Sequence, residues 1–109
     1  MEAKRLSVVK DGYMPTRVAG DKGPGLVKFF AKDGVLIDIN GKRHCGEAEL
    51  LAYYAENQTA PTSVDEPKVH ADGTITVRFK YYKMWLATFT FVKDSSLIQL
   101  ITLKGDGLW

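Results

Sequence analysis

Between Lys68 and Lys104 the chain alternates polar and apolar residues in runs that predict three successive antiparallel strands. From Thr74 to Tyr81 the period is two: Ile75, Val77, Phe79 and Tyr81 share one face, and Thr74, Thr76, Arg78 and Lys80 the other. A second run, Trp85 to Val92, is built of aromatic, Thr and aliphatic residues that suit a pleated surface. Polar turn chemistry follows in Lys93-Asp94-Ser95-Ser96, and Leu97 to Leu103 returns as a third strand. Upstream, the turn signal Ala71-Asp72-Gly73 makes Val64 to His70 a partner strand, which Pro67 confines to an edge or to an irregular course.

The first half of the chain reads as cover for that sheet. Glu2 to Lys10 predicts a short helix that stops or kinks near Gly12 and Pro15, both of which penalise a helix interior. Gly20 to Gly25 is a breaker cluster, too short to join two domains. A second helix is expected from Pro24 to Ala31, with Leu26, Val27, Phe29 and Phe30 as its buried stripe and Gly34 as its stop. Val35 to Ile39 predicts a strand, Asn40-Gly41 is a two-residue hairpin signal, and Lys42-Arg43-His44 is the short return. Gly46 then opens a helix to about Asn57, with Glu47 and Glu49 near its positive end and Leu50, Leu51, Tyr53 and Tyr54 available for packing. Gln58 to Ser63, with Pro61, reads as a loop. There is no internal repeat.

Composition narrows the class of protein. With 109 residues, 45% of them hydrophobic, one domain can build a core without disulfides or metal staples. The single cysteine, Cys45, excludes an internal disulfide framework and fits a reducing compartment. Apolar runs fall short of the roughly 20 residues that cross a bilayer, and Met1 to Arg5 is not followed by a signal-peptide core, so a soluble cytoplasmic protein is expected. The net charge of +2 comes from 15 basic residues spread along the chain, which argues against a nucleic-acid partner.

Several short patterns carry more than secondary structure. Gly20-Asp21 precedes the second helix. Leu26-x-x-Phe29-Phe30-Ala31-x-Asp33-Gly34-Val35-x-x-Asp38 leads into the first strand, and Arg43-His44-x-Gly46 opens onto Leu50-x-x-Tyr53-Tyr54. In order and spacing these resemble the nuclear transport factor 2-like (NTF2-like) superfamily, which includes ketosteroid isomerases and SnoaL-type polyketide cyclases. The resemblance spans nearly the whole chain. It implies an α+β cone, a curved, mixed but mainly antiparallel sheet wrapped around N-terminal helices, with an apolar ligand pocket inside and a homodimer through the outer face of the sheet.

By the same resemblance Asp38 matches the isomerases' proton-shuttling Asp, Tyr13 lies near their oxyanion-hole tyrosine, and Thr88 takes the place of their second oxyanion donor, a protonated Asp. A hydroxyl is a poorer acid than a carboxylic acid, which argues against efficient steroid isomerisation. Asp38 also stands on its own residues: near the end of an apolar strand, desolvation can raise its pKa toward that of a general base. It can equally begin the Asp38-Ile39-Asn40-Gly41 turn.

Placing Thr88 inside sends Leu86, Thr90 and Val92 inward and turns Trp85, Ala87, Phe89 and Phe91 outward. Trp85, Phe89 and Phe91 would then form an apolar patch for a dimer to cover. The pocket lining implied is Phe29, Phe30, Leu36, Tyr53, Tyr54 and Leu86. The opposite phase would bury the aromatics and leave Thr88 outside.

His44, Cys45 and His70 lack zinc-site spacing, so no metal is expected. Gly20 to Gly25 lacks the ending of a phosphate loop, and no cofactor is expected. Leu108-Trp109 is expected to plug the cone, extend the dimer contact or fray. The function expected is the binding of a small apolar molecule, with isomerase- or cyclase-type chemistry at Asp38. The alternative is a non-catalytic module for protein association, whose interior would be filled by aromatic rings.

Overall fold

The computed structural model describes residues 1–57 and 59–105, so the expectation for Leu108-Trp109 lies outside the described residues. Helical backbone runs without a break from Glu2 to Val18: α1 (Glu2–Ser7), a π-helical stretch (Val8–Tyr13) and α2 (Met14–Val18). The expected stop near Gly12 and Pro15 does not occur. A proline lacks the N–H for the carbonyl four residues back and crowds it, and the wider π turn just before Pro15 relieves both problems. Gly12 is there for space, since a Cβ on it would stand 2.7 Å from Cε1 of Phe29.

The second helix, α3 (Pro24–Val27), is far shorter than expected, because Phe30 already pairs with Ile98 and opens strand β1 (Phe30–Ile37). Asp21 Oδ1 accepts the N–H groups of Gly23 and Gly25 and so holds the start of α3. Gly34 stops no helix; it lies in the irregular part of β1, where a Cβ would press within 2.8 Å of the Phe30 ring. The hairpin to β2 (Arg43–Cys45) forms as expected, with one difference of type. Only Gly41 has positive φ (82°), and the Gly41 N–H reaches the Asp38 carbonyl, so Ile39 and Asn40 form the corner.

Next comes α4 (Gly46–Glu56), at whose start the Glu49 carboxylate accepts the Cys45 N–H. The remaining strands are β3 (Ser63–Val64), β4 (Lys68–Val69), β5 (Ile75–Tyr81), β6 (Lys83–Phe91) and β7 (Ile98–Gly105). Both β3 and β4 pair with β5, interrupted around Pro67 as expected. The sheet order is β2-β1-β7-β6-β5-β3, with β1 parallel to β7 and the other pairs antiparallel. The result is the expected α+β architecture, a mixed, open, curved sheet with the helices on its concave face.

The core joins Val9, Tyr13 and Met14 of the N-terminal helix and Leu50 and Tyr54 of α4 to Leu36, Ile75, Val77, Ala87, Phe89, Phe91, Ile98 and Ile101 of the sheet. Burial of each large apolar side chain contributes about 1.5–3 kcal/mol. Arg5 fastens the N-terminal helix to the β6–β7 turn through the carbonyls of Ser95 and Val92 and lies over the Phe91 ring. No helix among the described residues is long and apolar enough to cross a membrane.

Burial reverses the expected phase of β6. Ala87, Phe89 and Phe91 are the buried positions, with Phe89 fully enclosed, whereas Leu86, Thr88 and Thr90 lie half-buried on the opposite face. The physical reason is that rings on the concave face pack against the helices: Phe89 meets Tyr13 edge to face at 5.2 Å. Phe89 and Phe91 are therefore core residues and form no outer patch.

Candidate functional site

A cavity of about 430 Å³ opens between the helices and one end of the sheet. Tyr13 and Arg17 enter it from successive turns of the N-terminal helix, the four-residue spacing that puts two side chains on one face. Leu36 and Asp38 come from β1 and the hairpin, His44 from β2, Tyr53 and Tyr54 from α4, Phe79 and Tyr81 from β5, Trp85 from β6 and Leu103 from β7.

At one wall, Asp38 Oδ2 lies 2.9 Å from Nε2 of His44, with the two side chains only 14% and 13% exposed. Asp38 Oδ1 accepts the backbone N–H groups of Asn40 and Lys42. Burial pushes the Asp38 carboxyl up, but the hydrogen bond to His44 and those from Lys42 and Asn40 outweigh it and leave the carboxyl below its usual value. This corrects the expectation of a raised pKa: desolvation acts on Asp38, yet three donors hold its charged form. The turn reading of Asp38 holds, since its carboxylate accepts the hairpin N–H groups, and the side chain also lines the cavity. The His44 ring rests against Tyr53 at 4.7 Å between centroids.

Deeper in, the hydroxyls of Tyr13 and Tyr54 are hydrogen-bonded to each other at 2.5 Å. Burial pushes the Tyr13 phenol up to about 12 and that of Tyr54 well above 10, so both are neutral at physiological pH. One hydroxyl donates to the other, and the proton of the acceptor is left to donate to a third group. Arg17 lies beside this pair, its guanidinium carbon 5.9 Å from the Tyr54 ring centroid.

Asp38, Tyr13, Leu36, Tyr53 and Tyr54 are thus brought together in one cavity lining. Thr88 and Leu86 are not, for they lie on the outer face of β6. Phe30 packs behind Tyr13 in the core, and Phe29 sits against Gly12 outside the cavity lining. Trp85, expected at a dimer interface, lines the cavity and donates its indole N–H to the Tyr81 carbonyl.

His44, Arg17, Phe79, Tyr81 and Leu103 were not foreseen in the lining. The hairpin register could have found His44, since it stands opposite Leu36 and so shares a face with Asp38. Of the other groups weighed for metal binding, Cys45 is exposed and His70 bonds to Thr76. A depression of similar volume, about 450 Å³, lies between α3, the start of β1 and α4, but its charged residues Lys28, Lys32 and Glu47 are all exposed.

No protein-family profile matches the sequence, and no curated protein matches it. Solved structures do. A SnoaL-like protein of unknown function from Burkholderia thailandensis E264 superposes with a TM-score of 0.77 at 12% identity, covering 94% of this chain and 96% of that one. An NTF2-like protein of unknown function from Burkholderia xenovorans LB400 has a TM-score of 0.72 at 12% identity and covers 100% of this chain and 88% of that one. The epoxide hydrolase/cyclase-like enzyme SalBIII, of pyran ring formation in the polyether salinomycin, has a TM-score of 0.72 at 16% identity over 100% of both chains. At these identities the likeness establishes the fold: the chain has the cone architecture of NTF2-like and SnoaL-like proteins.

Proposed function

We propose that this SnoaL-like cone holds a small, largely apolar molecule and moves a proton on it, in chemistry of the isomerase or cyclase type, at the Asp38–His44 pair. The observation that carries the reading is that hydrogen-bonded pair, shielded from solvent, in the wall of a 430 Å³ cavity. Asp38 accepts three hydrogen bonds and is a weak base. Its role is to orient His44 and to stabilise the imidazolium when it forms. With Nε2 donating to Asp38, Nδ1 is the nitrogen left to take a proton.

In the step envisaged, His44 Nδ1 takes a proton from a carbon next to a substrate carbonyl, and the C–H electron pair moves into an enolate. The free hydroxyl proton of the Tyr13–Tyr54 pair donates to the enolate oxygen. His44 then returns the proton to another carbon, or the enolate carbon closes a ring on an internal carbonyl, whose C=O π pair moves to its oxygen and takes the proton from His44. No cofactor takes part. A cytoplasmic setting suits the exposed, unpaired Cys45. The competing module for protein association finds less support: among the described residues, and apart from Met1, the exposed large apolar side chains Val18, Ile39, Tyr82 and Leu97 sit on four separate segments.

The test is deuterium exchange at the α-carbon of 1-indanone, followed by NMR in deuterated buffer. The protein should accelerate exchange, and His44→Gln should slow the catalysed part by about 10²-fold with little change in melting temperature. No acceleration by the wild type, or full acceleration by His44→Gln, would remove the proposal.

A further inference from the structure

The cavity is not uniformly apolar, and Arg17 marks the departure. Its side chain lines the cavity one turn beyond Tyr13, and its Nη1 is covered from solvent with no hydrogen-bond partner among the described residues. It forms no ion pair among those residues either, and Asp38 is engaged with His44 and the hairpin N–H groups. Buried N–H donors are almost always satisfied, and a guanidinium is the costliest kind to leave bare. The Arg17 guanidinium carbon lies 5.9 Å from the centroid of the Tyr54 ring, which accepts no conventional hydrogen bond.

We infer that Arg17 is the anchor for an anionic head group, and that the molecule this cavity takes is an organic acid, a carboxylate on an apolar, ring-bearing body. A carboxylate matches the fork of a guanidinium, and one covered, unpartnered guanidinium nitrogen suits a monoanion better than a phosphate dianion; Lys42, the other basic chain in the lining, is exposed. The rings of Tyr53, Trp85 and Phe79 then flank the body, and the Tyr13–Tyr54 hydroxyls stand beside the head, where an adjacent carbonyl would receive their free proton. This inference rests on the cavity being a ligand site and adds the charge of the ligand.

The test is calorimetric titration with three probes of one shape: naphthalene-1-acetate, its neutral amide and 1-naphthyl phosphate. The acid should bind the wild type at least about tenfold more tightly than the amide, the factor expected from one charge-assisted hydrogen bond. Arg17→Gln should erase that preference, and Arg17→Lys should keep part of it. Arg17→Met should raise the melting temperature of the unliganded protein, because it removes an unpaired buried donor; a purely structural arginine would lower it. Equal binding of acid and amide, a preference that survives Arg17→Gln, or tighter binding of the phosphate overturns the carboxylate site and leaves the cavity reading standing. If no probe binds, both fall together.

Discussion

The imidazole Nε2 of His44 and the carboxylate Oδ2 of Asp38 stand 2.9 Å apart, a side-chain bond added to the backbone pairing of β1 with β2 across the hairpin. The folded Asp38 carboxyl titrates below its ordinary value. The stability it adds is therefore fully present above the unfolded value of about 4 and is lost as pH falls through the folded one. Wild type should lose stability on acidification below about pH 4 more steeply than Asp38→Asn, which has no carboxyl there to protonate. At neutral pH Asp38→Asn should cost about 1–2 kcal/mol, the scale of one charge-assisted hydrogen bond. Urea unfolding of both proteins at a series of pH values measures this; parallel pH profiles would refute it.

Tyr13 and Tyr54 each satisfy the other's buried hydroxyl, so losing one leaves a polar atom stranded. Tyr13→Phe and Tyr54→Phe should each destabilise by about 1–3 kcal/mol, and the double variant by no more than either single change. A double-mutant cycle reads the coupling directly. The Tyr13 phenol is pushed up to about 12, so its native stabilisation relative to the unfolded chain is lost as pH rises from 10 toward 12. Absorbance titration should show one phenol fewer ionising in that upper range in Tyr13→Phe.

Gly12 lies under the Phe29 ring with no room for a methyl group. Gly12→Ala should therefore destabilise by about 1–3 kcal/mol through overpacking, even though alanine is the better helix former by about 1 kcal/mol. Combining it with Phe29→Leu should recover much of the loss. A stabilised Gly12→Ala protein would show that the ring moves aside freely.

The inverted phase of β6 separates neighbouring residues sharply. Phe89→Ala should cost about 3–5 kcal/mol, whereas Thr88→Val should change neither stability by more than about 0.5 kcal/mol nor ketone exchange. If the sheet's outer face supports the homodimer that the resemblance implies, its contact would be made by Leu86, Thr88, Leu100 and Thr102 in place of the aromatics. Leu86→Glu should then shift the mass measured by light scattering from dimer to monomer without unfolding the chain. A wild-type monomer would dismiss the dimer.

What the sequence disclosed and what it concealed follow from how far each signal reaches. The strands β5 to β7 were legible because alternation is a local property repeated over many residues, and Asn40-Gly41 marked its hairpin because few residues tolerate that backbone. The phase of β6 was concealed because apolar side chains occupy both faces; Trp85, Ala87, Phe89 and Phe91 alternate with Leu86 and Val92, and the resemblance to the isomerases selected the wrong face. Period two read alone, with the rings inside, agrees with the structure. Arg17 was hidden by the expectation that the helix stops or kinks near Gly12 and Pro15, and His44 by a strand too short to show alternation. Neither Arg17 nor His44 is distinctive in type; only position gives them meaning.

The strand lying between β1 and β6 is β7, so residues far apart in the chain meet in the middle of the sheet, Leu36 beside Ile101. Such distant partners make closure slow and concerted. The hairpin bearing Asp38 and His44 has no sheet to join until β7 is in place beside β1. The cavity wall that carries Asp38 and His44 is therefore complete only once β7 has docked on β1.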